Sequence, residues 1–244
     1  MIRKFLTAVP LLILPALAQA DFIGIHVGGG AWNGSFSGDI ISDVSLDGDL
    51  NIQGDTGSYI YAAFEHPVPL IPNIKIARTT MEDSATGSLS SNFEFNGTNY
   101  VVNETVMTEL DLSHTDFTLY YEVIDTGMDL DLGLTARYFN GDVGLNGNRE
   151  AIDVVLPMLY ARAKIGLPFT GTYIGGEGNI VSYSGNELAD LAVHVGWETE
   201  NFIFPEFGVQ LGYRRFSLDV SEEDADVAID ARVDGVFVNL TAHF

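Results

Sequence analysis

Several groups of residues have types and spacings that could do chemistry. Ser113-His114 with Asp116 offers a nucleophile, a base and an acid side by side. A working triad needs the base within hydrogen-bond reach of the nucleophile and a third group orienting it. Neighbours on a strand point to opposite faces, so Ser113 and His114 diverge and the trio reads as loop-edge sequence. His26 and His194 are both predicted to point inward, within range of Glu177 or Glu198. Membership of a hydrogen-bond network is the ordinary state of such a histidine. Asp39, Asp43, Asp47, Asp49 and Asp55, and the run Glu222-Glu223-Asp224 with Asp226, invite a calcium reading. Neither group has the glycine turn and terminal bidentate Glu of a calcium loop, so a solvated acidic surface is expected. Gly28-Gly29-Gly30 is not followed by a helix and so is no dinucleotide site; it suits tight packing or a bend in a strand. No catalytic residue, metal or cofactor is assigned, and the chain is read as a non-enzyme.

Composition narrows the partners. Asp and Glu number 34 against 11 Lys and Arg, with a pI near 4.2. Nucleic acid is excluded, because phosphate binding needs a basic surface. So is a basic amphipathic anchor lying on anionic lipid. There is no cysteine, hence no disulfide and no thiolate metal site. The 26 glycines with 15 Phe and 10 Tyr suit a β protein with close backbone approaches.

The elements that must position these residues come next. Residues 1–20 read as a cleaved signal peptide: Arg3 and Lys4, an apolar run from Phe5 to Leu17, then Ala18-Gln19-Ala20 before Asp21. Cleavage removes two cations and no carboxylate, leaving 9 Lys and Arg against 34 Asp and Glu, a formal charge of −25. Residues 21–244 form a single domain. No apolar run approaches the ~18 residues of a transmembrane helix. The chain instead alternates apolar and polar residues in segments separated by Gly, Asn, Asp and Pro. Strands are expected near 22–33, 58–66, 73–81, 114–124, 128–140, 153–166, 172–183, 188–199, 206–219 and 228–244. Loops after odd-numbered strands are mostly long and acidic: 34–57, 82–113, 141–152 and 221–227. Those after even-numbered strands are mostly short, at 66–72, 125–127, 167–171 and 200–205; only the link 184–187, after an odd-numbered strand, breaks the rule by being short on the outer side. That sorting and an even strand number predict an all-β, antiparallel up-and-down transmembrane barrel of about ten strands.

Each strand separates an apolar from a polar set. Leu130, Leu132, Leu134, Ala136 and Tyr138 alternate with Asp129, Asp131, Gly133, Thr135 and Arg137. Phe117, Leu119, Tyr121 and Val123 alternate with Asp116, Thr118, Tyr120 and Glu122. Leu191, Val193, Val195 and Trp197 alternate with His194, Gly196 and Glu198. A charge at mid-depth on the lipid face costs about 2–4 kcal/mol for Arg or Lys, so the polar set is assigned to the lumen. The expected lumenal network is Glu122, Asp129, Asp131, Arg137, Arg162, Lys164, Glu177, His194, Glu198 and Arg214. About eight strands are just filled by side chains, so the lumen should be crossed by salt bridges rather than open. Phe22, Trp197, Phe202, Phe204 and Phe244 are expected in a girdle at the end where the termini meet. Tyr138, Phe139 and Tyr213 fall nearer the other end. Arg78 and Arg215 carry lipid-face parity, which places them at a bulge or at the outer rim.

The chain closes on Val236, Val238, Leu240, Ala242 and Phe244, alternating with Asn239, Thr241 and His243. This resembles the closing strand of bacterial outer-membrane barrels, which implies that the barrel-assembly machinery reads it during insertion. The stretches Pro157–Ala163, Leu167–Gly171, Gly175–Asn179 and Ser182–Gly185, with Ala20–Gly24 and Gly212-Tyr213-Arg214, resemble a family of small, functionally uncharacterised Gram-negative outer-membrane β-barrels. The resemblance implies fold and location, with outer-membrane lipid and lipopolysaccharide as surroundings, and brings no catalytic residue. The functional expectation is a structural or binding barrel with acidic extracellular loops. A narrow porin-like solute channel is the first alternative, and a barrel hydrolase or acyltransferase acting on lipid or peptide the second.

Overall fold

A computed structural model describes residues 23–40, 44–199, 205–220 and 229–244. The signal segment, Phe22, Asp43, Phe202, Phe204 and the acidic link 221–227 lie outside the described residues. The chain forms β1 (Gly24–Ile40), β2 (Val44–Ser45), β3 (Thr56–Glu65), β4 (Asn73–Thr80), β5 (Glu82–Ser88), β6 (Phe93–Phe95), β7 (Thr98–Tyr100) and β8 (Thr105–Asp111). It continues with β9 (His114–Asp125), β10 (Met128–Leu145), β11 (Asn148–Gly166), β12 (Thr172–Tyr183), β13 (Asn186–Glu198), β14 (Glu206–Val220) and β15 (Ile229–His243).

Ten of these strands make one antiparallel ring in the order β1, β3, β4, β9, β10, β11, β12, β13, β14, β15, and β15 pairs back onto β1. Closure leaves no open edge around the ring where all ten strands pair, the condition for crossing hydrocarbon with strands. The closing seam is long, running in register from His26↔His243 to Ile40↔Ile229. Two of its glycines are required by close approach. A Cβ on Gly28 would strike the Tyr61 ring, and one on Gly30 would strike the Val238 carbonyl oxygen.

The turns sort by end. Where the termini meet, hereafter the terminal end, short links join β3 to β4, β9 to β10 and β11 to β12. The opposite, far end carries the folded segment 44–55 and the strands β5 to β8. Three of the expected long loops are corrected. β1 continues to Ile40 instead of ending near 33. Residues 82–113 contain four strands, and β8 pairs with the top of β10. Residues 141–152 are not a loop: β10 and β11 run on as a hairpin closed by Asn146 (φ 50) and Gly147 (φ 84). Positive φ at both positions marks the two-residue turn whose twist matches a hairpin.

The alternation reverses part-way up the barrel. On β14 the outward residues run Phe207, Val209, Leu211, Tyr213 and then Arg215, Ser217, Asp219. Its inward residues run Gly208, Gln210, Gly212, Arg214 and then Phe216 and Leu218. On β15 Leu240, Val238 and Val236 give way outside to Asp234 and Arg232, while Asn239 gives way inside to Phe237, Val233 and Ala231. The terminal-side half is therefore apolar outside: Leu211, Val193 and Leu240 are 62, 63 and 66 % exposed. The far half is apolar inside, with a core of Trp32, Phe36, Phe139, Leu188, Phe216 and Val233 covered by Leu46, Leu50 and Ile52. Arg78 and Arg215 are the first outward residues above the belt, where β4 and β14 keep their register, so the rim placement holds and no bulge is involved. Phe139 is corrected: it points into this core rather than into a girdle. Trp197 and Phe244 face outward at the terminal end, and Tyr138 and Tyr213 outward near the rim.

Candidate functional site

The lumen below the apolar core holds the densest set of ionisable side chains, arranged in two tiers. In the tier nearer the terminal end, the Lys75 ammonium donates to Glu177 at 2.6 Å and stands 5.0 Å from the Tyr61 ring centre and 5.5 Å from that of Tyr160. The Tyr59 hydroxyl donates to the same carboxylate at 3.1 Å. β3 and β12 lie five strands apart in the ring, so Tyr59 and Glu177 meet across the full width of the lumen. Arg162 reaches Asp131 at 2.8 Å, and Lys164 reaches Glu198 at 2.7 Å while lying over the Tyr173 ring. Asn73 donates to Glu122 at 3.3 Å, and Asp129 stands opposite Lys164 in the β10–β11 register.

The upper tier is a quartet from four strands. Arg137 grips Asp116 with two parallel bonds of 2.7 Å and reaches Asp190 at 2.8 Å. Arg214 grips Asp190 with bonds of 2.7 and 2.6 Å, touches Thr79, and lies over the Trp32 ring at 4.7 Å. Arg137 is 0 % exposed. Two-toothed guanidinium–carboxylate pairs are the arrangement that makes buried charge tolerable, because geometry and hydrogen bonds offset desolvation.

Of the ten residues assigned to the lumen, the structure brings Arg137 and Arg214 together on Asp190, and pairs Arg162 with Asp131 and Lys164 with Glu198. Glu177 is brought to Lys75. Sequence reading left out Lys75, Asp190 and Glu65, and placed Asp116 on the lumenal face without including it in the network. The signal was present in each case: Lys75 alternates with Ile74 and Ile76, and Asp190 shares parity with His194.

The two candidate histidines contact other groups than expected. His26 bonds Glu65 at 2.9 Å and stacks on His243 with ring centres 3.9 Å apart. Glu65 also accepts from the Tyr120 hydroxyl at 2.7 Å. His194 sits edge-on to Tyr173 and Phe237, with neither Glu177 nor Glu198 as a bonded partner. Ser113, His114 and Asp116 form no triad. The Ser113 hydroxyl accepts the Met81 amide at 3.1 Å, His114 Nδ1 donates to the Leu112 carbonyl at 2.9 Å, and Asp116 is held by Arg137. All three side chains are buried. Near the acidic loop, Asp49 accepts the amides of Ser45 and Ser90, and Asp55 that of Thr56. These carboxylates cap loop backbone, and among the described residues no three His, Asp or Glu converge as a metal cluster.

Between the tiers lies a cavity of about 100 Å3 running from His26 and Glu65 to Trp32 and Phe237. Trp32, Arg137, Asn179 and Asn239 belong to its lining, while their Nε1, Nη1, Oδ1 and Oδ1 atoms are buried and bond no protein group. A polar cavity of this size has room for water or a small polar molecule.

No family model and no curated protein matches the sequence. Solved structures do. The outer membrane protease OmpT from Escherichia coli matches at 11% identity over 93% of this chain and 98% of that one, with a TM-score of 0.49. A Pseudomonas aeruginosa FadL homologue matches at 8% identity over 92% and 90%, with a TM-score of 0.33.

Proposed function

We propose that the chain is an integral protein of the Gram-negative outer membrane, exported behind a cleaved signal peptide, with its terminal end toward the periplasm and its folded far end outside. It acts as a sealed barrel with a structural or binding role rather than as an open pore or an enzyme. The observation that carries this is the apolar core across the far half. Directly above the Arg137–Asp116–Asp190–Arg214 quartet, the rings of Trp32, Phe139 and Phe216 fill the interior, with Leu46, Leu50 and Ile52 over them. An ion travelling the axis would have to leave water for hydrocarbon. If the barrel binds something within, the cavity beneath that core is the place, and its occupant is a small polar molecule suited to a lining of Tyr, Lys, Arg, Glu, Asp and Asn side chains.

The surroundings follow from the same reading: outer-membrane lipid and lipopolysaccharide around the belt and rim, and the barrel-assembly machinery acting on Val236, Val238, Leu240, Ala242 and Phe244 during insertion. The similarity of residues 157–185 to the uncharacterised barrel family belongs to this reading too. Planar-bilayer recording of the purified mature barrel tests it. Traces without steady single-channel steps are expected, and a reproducible ohmic conductance would replace the sealed barrel by a narrow solute channel. Cell fractionation with gel migration before and after boiling tests location. A heat-shifted band confined to the outer-membrane fraction is expected.

A further inference from the structure

Two turns at the terminal end have a chemistry that neither the lumen nor the seal uses. The link from β3 to β4 runs His66-Pro67-Val68-Pro69-Leu70-Ile71-Pro72, and that from β11 to β12 runs Leu167-Pro168-Phe169-Thr170-Gly171. In each, a proline precedes a large apolar residue held at positive φ: Leu70 at 71° and Phe169 at 65°. That conformation after proline is the place for glycine or asparagine, and a bulky residue there is strained. Both side chains are also bare, Leu70 being 90 % and Phe169 100 % exposed, with Val68, Ile71 and Leu167 exposed beside them. Neither turn contains Asp, Glu, Lys or Arg, in a chain otherwise crowded with carboxylates.

Strain and exposure together point to something that covers these tips. Its identity is indicated by where the turns are tied. The Tyr121 hydroxyl donates to the Leu70 carbonyl at 3.0 Å, and Tyr121 belongs to the lipid-facing set of β9. The Trp197 indole lies against Gly171, and Trp197 belongs to the lipid-facing set of β13. Both turns are thus held against the outer wall and continue the apolar belt. The remaining described turn, Asp125-Thr126-Gly127-Met128, is polar at its tip and serves as an internal contrast.

We propose that Leu70 and Phe169 are interfacial anchors inserted into the headgroup–acyl boundary of the inner leaflet, where they fix the depth of the barrel. This is how interfacial side chains with an apolar body behave. The proposal rests on the membrane-spanning, terminal-end-inward reading above.

The chain has no cysteine, so single nitroxide labels can be placed cleanly. Leu70→Cys, Phe169→Cys and Thr126→Cys mature barrels would be labelled, inserted into phosphatidylethanolamine–phosphatidylglycerol vesicles and compared by power-saturation spin resonance. Labels at 70 and 169 should be reached more readily by oxygen than by an aqueous nickel chelate, and the label at 126 the reverse. Equal access of the nickel chelate to all three would overturn the anchors, and so would shielding of 70 and 169 from both reagents, which is the signature of a protein cover. A label-free measurement guards against the probe drawing itself into lipid. Phe169→Gly relieves the strained φ, so a merely structural turn would fold as well or better in vesicles. The anchor predicts a several-fold lower folded yield in vesicles and no loss in detergent micelles. Failure of the underlying reading is distinguishable, because then the wild-type barrel itself would not insert.

Discussion

The two halves of this barrel are built from the same ten strands yet invert each other's solvent. On the terminal side, Leu211, Val193 and Leu240 face outward and Arg137, Asp190 and Arg214 face inward. On the far side, Arg215, Asp234 and Arg232 face outward and Phe216, Leu188 and Val233 face inward. Nothing in backbone geometry changes at the boundary, since β13, β14 and β15 keep their register through it. What changes is the medium outside: apolar groups go outward where that medium is hydrocarbon and inward where it is water. A strand crossing both media thus carries two patterns of opposite phase, and the crossover marks the membrane boundary on the far side.

The sharpest way to break the terminal-side half is to unpair its charges. Asp190 alone holds both Arg137 and Arg214. Replacing it with alanine leaves Arg214 without a carboxylate and Arg137 with Asp116 alone, and removing one partner of a buried pair costs about 3–5 kcal/mol. Asp190→Ala should therefore lower the urea midpoint in vesicles at least as far as the largest truncation of a core side chain. Asp190→Asn keeps the shape and some acceptors and should fall between it and wild type. If Asp190→Ala unfolds like wild type, the quartet is not what organises the lumen.

The equivalent blow to the far half is a cavity rather than a bare charge. Phe216 is 0 % exposed, packed against both His114 and Phe139. Truncation to alanine should cost about 3–5 kcal/mol, as for buried Phe elsewhere. It should also loosen the seal, giving intermittent conductance in the planar-bilayer assay. Leu211→Ala, five residues earlier on the same strand but facing lipid, should cost less because mobile acyl chains fill the space. Equal losses at both sites would mean that Phe216 does not sit in a rigid core.

How much of the barrel is legible in the sequence follows from that crossover. Strand number, closure and the lipid-facing sets can be read because period-two alternation is strict below the boundary, as in Leu130 to Tyr138 against Asp129 to Arg137. The far-side core escapes a reading that applies one face rule to whole strands. Arg78 and Arg215, which fit that rule poorly, are the first outward residues beyond the belt. Phe139 shares parity with Arg137 and so points inward by that rule; its aromatic type and its place near the strand end are what suggest a girdle. The hairpin at 141–152 is hidden by its acidic and glycine content, although Asn146-Gly147 is itself a strong hairpin signal, as Asn96-Gly97 is between β6 and β7. The ion pairs of the lumen are legible as a set but not as partners, because Lys75 with Glu177 and Arg137 with Asp190 join strands far apart in the ring. Parity gives the face and says nothing about which opposite strand is in reach.

A new charge probes the boundary from outside. Leu211→Arg puts a guanidinium on the lipid face between Val195 and Val238, within the belt. Its cost should be about 2–4 kcal/mol near the bilayer midplane. The loss should appear as a lower folding free energy in vesicles. Since Arg215 is native one turn of alternation beyond Tyr213, the penalty belongs to depth and not to arginine on this strand. A variant as stable as wild type would mean that this wall does not face hydrocarbon.

The smallest effect is expected at Ser35, and its smallness is the informative part. Ser35 is exposed on the outer face of β1, two positions beyond Asn33 and directly across from Asp234 on β15. If the far half stands in water, Ser35→Arg adds an exposed cation beside an existing carboxylate and should change stability by no more than about 0.5 kcal/mol. If the belt extended this high, the same substitution would approach the penalty at Leu211. Measured together in one vesicle series, the two arginine variants locate the edge of the hydrocarbon between Leu211 and Ser35 without reference to any ligand or activity.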